Sequence, residues 1–492
     1  MKLYLEGGIL GKEAEVKTSY LTRPAEYNGI RAIPKPPAGT ETIRGIIAWL
    51  GPAYIMAAME VGSGELVFSA QAGARVGMIL AWTLLLSAIF KTTNNEFAIR
   101  YVMATGESPM MMYQRIHPIF CTFYWIIQII VRHWMFWPAG AALTMAGIII
   151  EGYGVKGIDP VIIGLLLYVI ILPLLLVAKR AYDVVEKACT IMVIAMFISM
   201  LIVGAFVTTP ERFGDALIGL FSFGVIPVGA ADLAIRLLAW AFGGGPEESL
   251  KYGLYVREKG YGMASEVAKV ARHSTKEEEP VIIGWRPSTD PESVKNWKIW
   301  LRIAQTDLYG VYLPIGLLGS LIFMYCGTWI LKPAGLVPSG YKLAVVQSEF
   351  FRRFFGEFGA MVYLFLAMVV LWSTAVGNMD AYPRIVASAL RVNFPWLKKV
   401  SEYKLYASLV TLYFFLMIPA MVGVKQPELL LLIDIYLSVL LMALAFLVPF
   451  IANILWVPKE YRPHPIKFVI LACGIVFYLY FAALVIMGVA RP

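Results

Sequence analysis

Charge is scarce in this chain. Asp, Glu, Lys and Arg together make 15% of its 492 residues, against about 25% in ordinary soluble domains. With 59% hydrophobic residues, so low a share excludes a soluble globular protein, an extended disordered chain and a nucleic-acid binder. Histidine and cysteine are scarcer still, at four residues each. Cys121, Cys189, Cys326 and Cys473 stand in apolar runs without CxxC or CxxH spacing, so they read as small core residues rather than metal ligands. The polar segments hold no Gly-rich loop followed by Lys and Ser or Thr, which argues against ATP hydrolysis of the P-loop kind. Ser63 lies in a Gly-Ser-Gly triplet, but His117, His133, His273 and His464 fall in other spans or loops, so a serine hydrolase is set aside. The first 42 residues lack a short apolar core, and no signal peptide is expected.

What the chain does have is long apolar runs. A bilayer helix needs about 20 such residues, and runs of that length occur eleven times, which predicts an all-α polytopic membrane protein. They lie near residues 43–70, 76–98, 118–149, 158–178, 188–208, 218–242, 303–331, 354–376, 404–423, 427–452 and 466–489. Most of the 42 Lys and Arg fall on the amino-terminal tail and after even-numbered spans. By the positive-inside rule the amino terminus is cytoplasmic and the carboxyl terminus outside, in the cell membrane. The net charge of +9 is explained by those loops rather than by an acidic partner. The chain is expected to divide into a cytoplasmic tail (1–42), a first block through the sixth helix (43–242), a cytoplasmic loop (243–302) and a second block (303–492). Within that loop Val294, Trp297, Trp300, Leu301 and Ala304 share one helical face, which predicts a helix lying on the membrane surface.

Two spans carry backbone breakers at their centres. The first reads Glu60-Val61-Gly62-Ser63-Gly64-Glu65, and the sixth reads Gly224-Val225-Ile226-Pro227-Val228-Gly229, followed by Ala230, Ala231 and Asp232. Glycine permits non-helical dihedrals, and proline removes a backbone donor. Unwound backbone in hydrocarbon is tolerated where it lines a cavity or meets protein. Two interruptions five spans apart fit two inverted five-helix repeats, with broken helices 1 and 6 facing one another at a central solute site.

The first span resembles the Nramp family of proton-coupled divalent-metal transporters. The family's Gly-Pro opening, its Asp-Pro-Gly-Asn break and its Gln-Ala-Gly-Ala close correspond to Gly51-Pro52, Gly62-Ser63-Gly64-Glu65 and Gln71-Ala72-Gly73-Ala74. Ala98, Arg100, Thr105, Gly106, Ser373, Thr374 and Gly377 extend the likeness, and Pro227 resembles the proline of the family's Met-Pro-His motif. The resemblance implies a LeuT-like fold of eleven helices, a secondary-active carrier, no enzymatic activity and a monomer in the lipid bilayer. It implies no resident cofactor; a divalent cation would be cargo and protons the coupling ion.

Family members hold the metal with Asp and Asn of the first break and Met of the sixth. Carried over position by position, these become Gly62, Glu65 and Ile226, and the histidine after the proline becomes Val228. Losing a thioether in favour of a carboxylate shifts preference toward harder ions such as Mg²⁺, Ca²⁺ or Mn²⁺. Glu65 is the leading metal ligand, and Asp434 in the tenth span is a second. Backbone carbonyls near Gly62, Ser63, Ile226 and Pro227 would complete the cation site. Candidate proton carriers are Glu60, His133 with its neighbour Arg132, and Asp232, since intramembrane ionisable groups need a partner, a proton or a cavity. Asp232 and Arg236, four apart on a helix, are also explained as a structural ion pair. Two other readings stay open: a carrier of an organic cation or amino acid on the same fold, and a non-transporting membrane sensor.

Overall fold

The computed structural model describes residues 27–60, 64–177, 179–242, 244–267 and 283–489. Among these the chain is overwhelmingly helical; a two-residue parallel pairing joins β1 (Ile30–Arg31) to β2 (Arg286–Pro287). Eight helical runs are long and apolar enough to cross a membrane, and Pro160–Leu176 is a shorter apolar one. The principal helices are α1 (Pro52–Glu60), α2 (Ala70–Val76), α3 (Ala81–Thr105), α4 (Pro118–Gly152), α5 (Pro160–Leu176), α6 (Lys179–Val207) and α7 (Pro210–Phe221). They continue with α8 (Ala231–Trp240), α9 (Glu248–Lys259), α10 (Pro291–Leu331), α11 (Glu349–Asn393), α12 (Glu402–Val424), α13 (Pro427–Leu455) and α14 (Pro465–Ile486).

Many helices begin where a side-chain acceptor precedes proline, which supplies the missing bond for an orphan amide while proline's fixed φ suits the first turn. Asp159, Thr209 and Asp290 cap α5, α7 and α10 in this way. His117 and His464 do the same through Nδ1, bonding the amides of Ile119 and Ile466. Those two histidines are thereby structural caps, and His273 lies outside the described residues.

The first interruption falls where the breakers predict, between α1 and a π-helical turn at Gly64–Ser69 that leads into α2. The second does not. Residues 222–230 form a largely exposed connection between α7 and α8, turned by Gly224 (φ 79°) and Gly229 (φ 78°), with Val228 fully exposed. Ile226 and Pro227 therefore lie outside the bundle's centre. The interrupted helix is α8 followed by α9, and its break spans Ala241 to Glu247, where Phe242 has φ 57° and Gly244 has φ 75°.

The reason for the displacement is burial of charge. α9 looks like polar loop in sequence, yet Glu247, Glu248 and Lys251 are 2%, 2% and 3% exposed. Part of the stretch assigned to a cytoplasmic loop is thus a central helix that packs along α3 and α1. The apolar residues of α7, by contrast, include Phe213, Leu217, Ile218 and Phe221 on its exposed side. The face of α10 expected on the membrane surface packs on protein. Trp300 Nε1 donates to Pro34 O (3.0 Å), Asn296 Nδ2 to Ile33 O (3.0 Å), and the Trp297 ring meets Tyr461 at 4.8 Å.

Candidate functional site

The two interruptions meet at the centre of the bundle. Gly64 permits the approach: a Cβ there would stand 2.3 Å from the Trp240 carbonyl oxygen, well inside van der Waals contact. Beside it lies a cavity of about 30 Å³ lined by Met59, His133, Trp137, Glu247, Thr374 and Asn378, among others. A water needs at least about 10–15 Å³ by this measure, so the space suits one small ion or one to two waters. Gly377 on α11 makes room for the first of those residues, since a Cβ there would meet the Met59 side chain at 2.7 Å. Tyr255 OH donates to Met59 Sδ (3.2 Å), which fixes the thioether at the cavity wall. The sequence comparison placed the loss of a soft donor at Ile226; the structure supplies one at Met59.

Glu65 is buried and accepts a hydrogen bond from the Phe242 amide (2.9 Å) and a longer one from Ser320 Oγ (3.4 Å). The carboxylate of the first interruption therefore satisfies an amide freed by the second, linking them. Gly62 and Ser63 lie outside the described residues, as does the side chain of Glu60.

Asp434 takes a different place. Arg132, fully buried on α4, donates through Nη1 to Asp434 Oδ2 (2.6 Å) and Ser438 Oγ (2.7 Å), and through Nη2 to Glu247 Oε2 (2.5 Å). Gln128 braces the pair, accepting from Arg132 Nε (3.1 Å) and donating to Glu247 (2.6 Å). Arg132 is thus the anchor of a buried ion cluster. A guanidinium suits this task because its planar fork serves two carboxylates at once. His133 Nδ1 lies 3.8 Å from Glu247 and 4.0 Å from Asp434. Its ring is stacked against Trp137 at 5.3 Å, and both ring nitrogens are buried without a hydrogen-bond partner.

The structure brings together His133, Arg132 and Asp434, and adds Glu247, which sequence reasoning left in a loop. Glu65 bonds the Phe242 amide whereas Asp434 bonds Arg132, and among the described residues no three His, Cys, Asp or Glu side chains form a metal cage. Asp232 is held by Arg236 (2.9 Å), as the four-residue spacing suggests. Arg236 also donates to Gln71 (2.6 Å) and Glu428 (2.9 Å), and Glu428 accepts from Gln71 (2.9 Å) and the Gly340 amide (3.0 Å). This network ties α2, α8 and α13 at one end of the bundle. Toward the other end, Asp307 accepts from the amides of Gly51 (2.9 Å) and Ala53 (2.7 Å) and caps α1. There too Glu96 on α3 is held by Arg100 (2.7 Å), Lys467 and Tyr309.

Residues 53–239 match the family model described as natural resistance-associated macrophage protein-like, Nramp. The matched stretch, under half of the chain, is similar to that family. The match covers the first interruption and ends at the last turn of α8, just before the break that follows it. An uncharacterized protein of Pasteurella multocida, PM0681, is 22% identical over 356 residues, covering 70% of this chain and 71% of the relative. Among solved structures, a histidine-to-alanine mutant of the Eremococcus coleocola manganese transporter superposes with TM-score 0.60 at 12% identity, over 92% of this chain and 89% of that one. MHP1, a nucleobase-cation-symport-1 family transporter, superposes with TM-score 0.50 at 14% identity, over 89% and 90%. The two solved structures share this chain's fold over most of its length. The chain's long apolar helices are those of a multi-pass integral membrane protein.

Proposed function

We propose that this Nramp-like protein is a secondary-active carrier of a divalent metal cation, working by alternating access around the cavity between the two interruptions. The observation that carries this reading is the ion-sized space of about 30 Å³ walled by Glu247, His133, Asn378, Thr374 and the Met59 thioether, with Lys251 also on its wall. Its donors are mostly oxygen, which favours Mn²⁺ or Mg²⁺ over softer ions, while one thioether keeps Mn²⁺ acceptable. The manganese transporter it superposes on is in keeping with that cargo.

Proton coupling is the second part of the proposal. His133 stands within 4.0 Å of two carboxylates and has no hydrogen-bond partner at either ring nitrogen. A group so placed can take up or release a proton as the carboxylates gain or lose a cation. The amino terminus is taken as cytoplasmic from the distribution of Lys and Arg along the chain. A monomer contains both interruptions and is taken as the working unit.

The test is uptake of Mn²⁺, Mg²⁺ and Ca²⁺ into proteoliposomes, with and without an imposed pH gradient, by the wild type and by Glu247→Gln. Mn²⁺ or Mg²⁺ accumulation driven by inward protons, and lost in the folded variant, is expected. Wild-type vesicles that accumulate none of the three would refute a divalent cargo.

A further inference from the structure

The last turn of α8 ends inside the protein, and its carbonyl groups need partners. Each has one in the scaffold. Leu237 O accepts from the Ala241 amide (3.0 Å), Leu238 O from Ser87 Oγ (3.3 Å) and Tyr478 OH (3.2 Å), and Trp240 O from the Gly244 amide (3.2 Å). The rest converge on one side chain. Lys91 Nζ, 1% exposed on α3, lies 3.0 Å from Ala239 O, 3.3 Å from Ala241 O, 3.2 Å from Phe242 O and 2.7 Å from Gly244 O.

Four carbonyl oxygens around one nitrogen suit an ammonium, which offers three donors, better than a neutral amine, which offers two. The shell also sits at the carboxyl end of α8, where the helix dipole favours positive charge. Carbonyl rings of this kind replace the hydration shell of alkali cations in channels. Here the same oxygens face a cation that is covalently attached to the protein.

We propose that Lys91 is a built-in cation occupying a carbonyl site at the second interruption, so that this site takes no alkali ion and its carbonyls are withheld from the transported cargo. Lys91 is in these terms a positioning residue: it holds the Ala241–Gly244 backbone, and Phe242 in turn presents its amide to Glu65. The cargo is left to the side chains around the cavity. The inference is independent of which ion those side chains carry.

Shortening Lys91 to alanine opens a space shaped for a small cation, which makes the test one of chemical rescue. Thermal unfolding of purified Lys91→Ala would be followed in choline chloride and after exchange to Na⁺, K⁺, methylammonium or ethylammonium salts at equal ionic strength. The variant should unfold at lower temperature than the wild type. At least one small cation should raise its midpoint by about 2–4 °C, saturably, with tetramethylammonium inert and the wild type unmoved. A variant indifferent to every small cation, or a wild type that shifts equally, would overturn the proposal. A second arm uses no variant: wild-type uptake should agree within about twofold in Na⁺, K⁺ and choline media, whereas an alkali-ion requirement above about tenfold would overturn it as well.

Discussion

Arg132→Gln is the substitution to which the centre of this protein should be most sensitive. The guanidinium is fully buried and bonded to Glu247 at 2.5 Å, Asp434 at 2.6 Å and Ser438 at 2.7 Å. Glutamine keeps a donor at that position but removes the charge, leaving two buried carboxylates near a cavity that Lys251 also lines. Breaking a buried ion pair by removing one partner costs about 3–5 kcal/mol. At about 1.4 kcal/mol per decade, that shifts the folding equilibrium by roughly a hundred- to a few-thousand-fold. Denaturant titration in detergent, followed by intrinsic tryptophan fluorescence, measures the loss. Neutralising a carboxylate in the same background should return part of it, so Arg132→Gln with Asp434→Asn should show a coupling of about 0.5–3 kcal/mol. Arg132→Lys should fall between, because an ammonium is a point charge without the planar fork. Equal stability of Arg132→Gln and the wild type, or a double variant no better than the single, would refute the ion cluster as the organising element.

Three other outcomes are expected. Gly64→Ala forces a Cβ against the Trp240 carbonyl oxygen at 2.3 Å; overpacking of this kind costs about 1–3 kcal/mol, so the midpoint should fall and uptake should be lost, and normal uptake would show that the interruptions are not tightly apposed. Glu65→Gln keeps an acceptor for the Phe242 amide, so the protein should fold with near-native thermal stability while uptake is lost; unchanged uptake would remove Glu65 from transport. Asp290, at the exposed start of α10, accepts hydrogen bonds from the Ser288 and Ser293 hydroxyls and the Ser293 amide, which hold its carboxyl well below the usual carboxylate range. Because the folded form binds its proton more weakly, its contribution to the α10 cap is complete above the ordinary carboxylate range and is lost as pH falls toward the depressed value. Hydrogen exchange at Ser293 should therefore speed up at acid pH beyond its intrinsic dependence in the wild type but not in Asp290→Ala.

Much of the fold is legible in the sequence, because apolar runs of bilayer length and Xaa-Pro caps are local features. Gly62 and Gly64 mark the first interruption for the same reason. The second was misplaced by about twenty residues because its identity is tertiary. Glu247, Glu248 and Lys251 look solvated in sequence, and only their burial against α4, α3 and α10 makes α9 a core helix. Gly224, Pro227 and Gly229 carry a stronger local signal, but it is the signal of an exposed turn. The candidate site divides along the same line. His133, Arg132 and Asp434 were visible as ionisable residues within apolar runs, whereas their convergence on Glu247 required a partner 115 residues away. Lys91 lies inside an apolar run, and nothing in its neighbours on the chain announces the four carbonyls it serves.

Glu428 sets how one end of this molecule can open. Its two oxygens serve Gln71 on α2, Arg236 on α8 and the Gly340 amide. The half-helices that must part to admit a solute there are fastened to the same carboxylate rather than to separate ones. Gln71 and Arg236 are moreover bonded to each other, so neither can leave alone without stranding a partner. Such a knot does not loosen by degrees. Opening at this end therefore requires Gln71, Arg236 and Glu428 to separate together, and each ~1.4 kcal/mol that their bonds add to the barrier slows that step about tenfold.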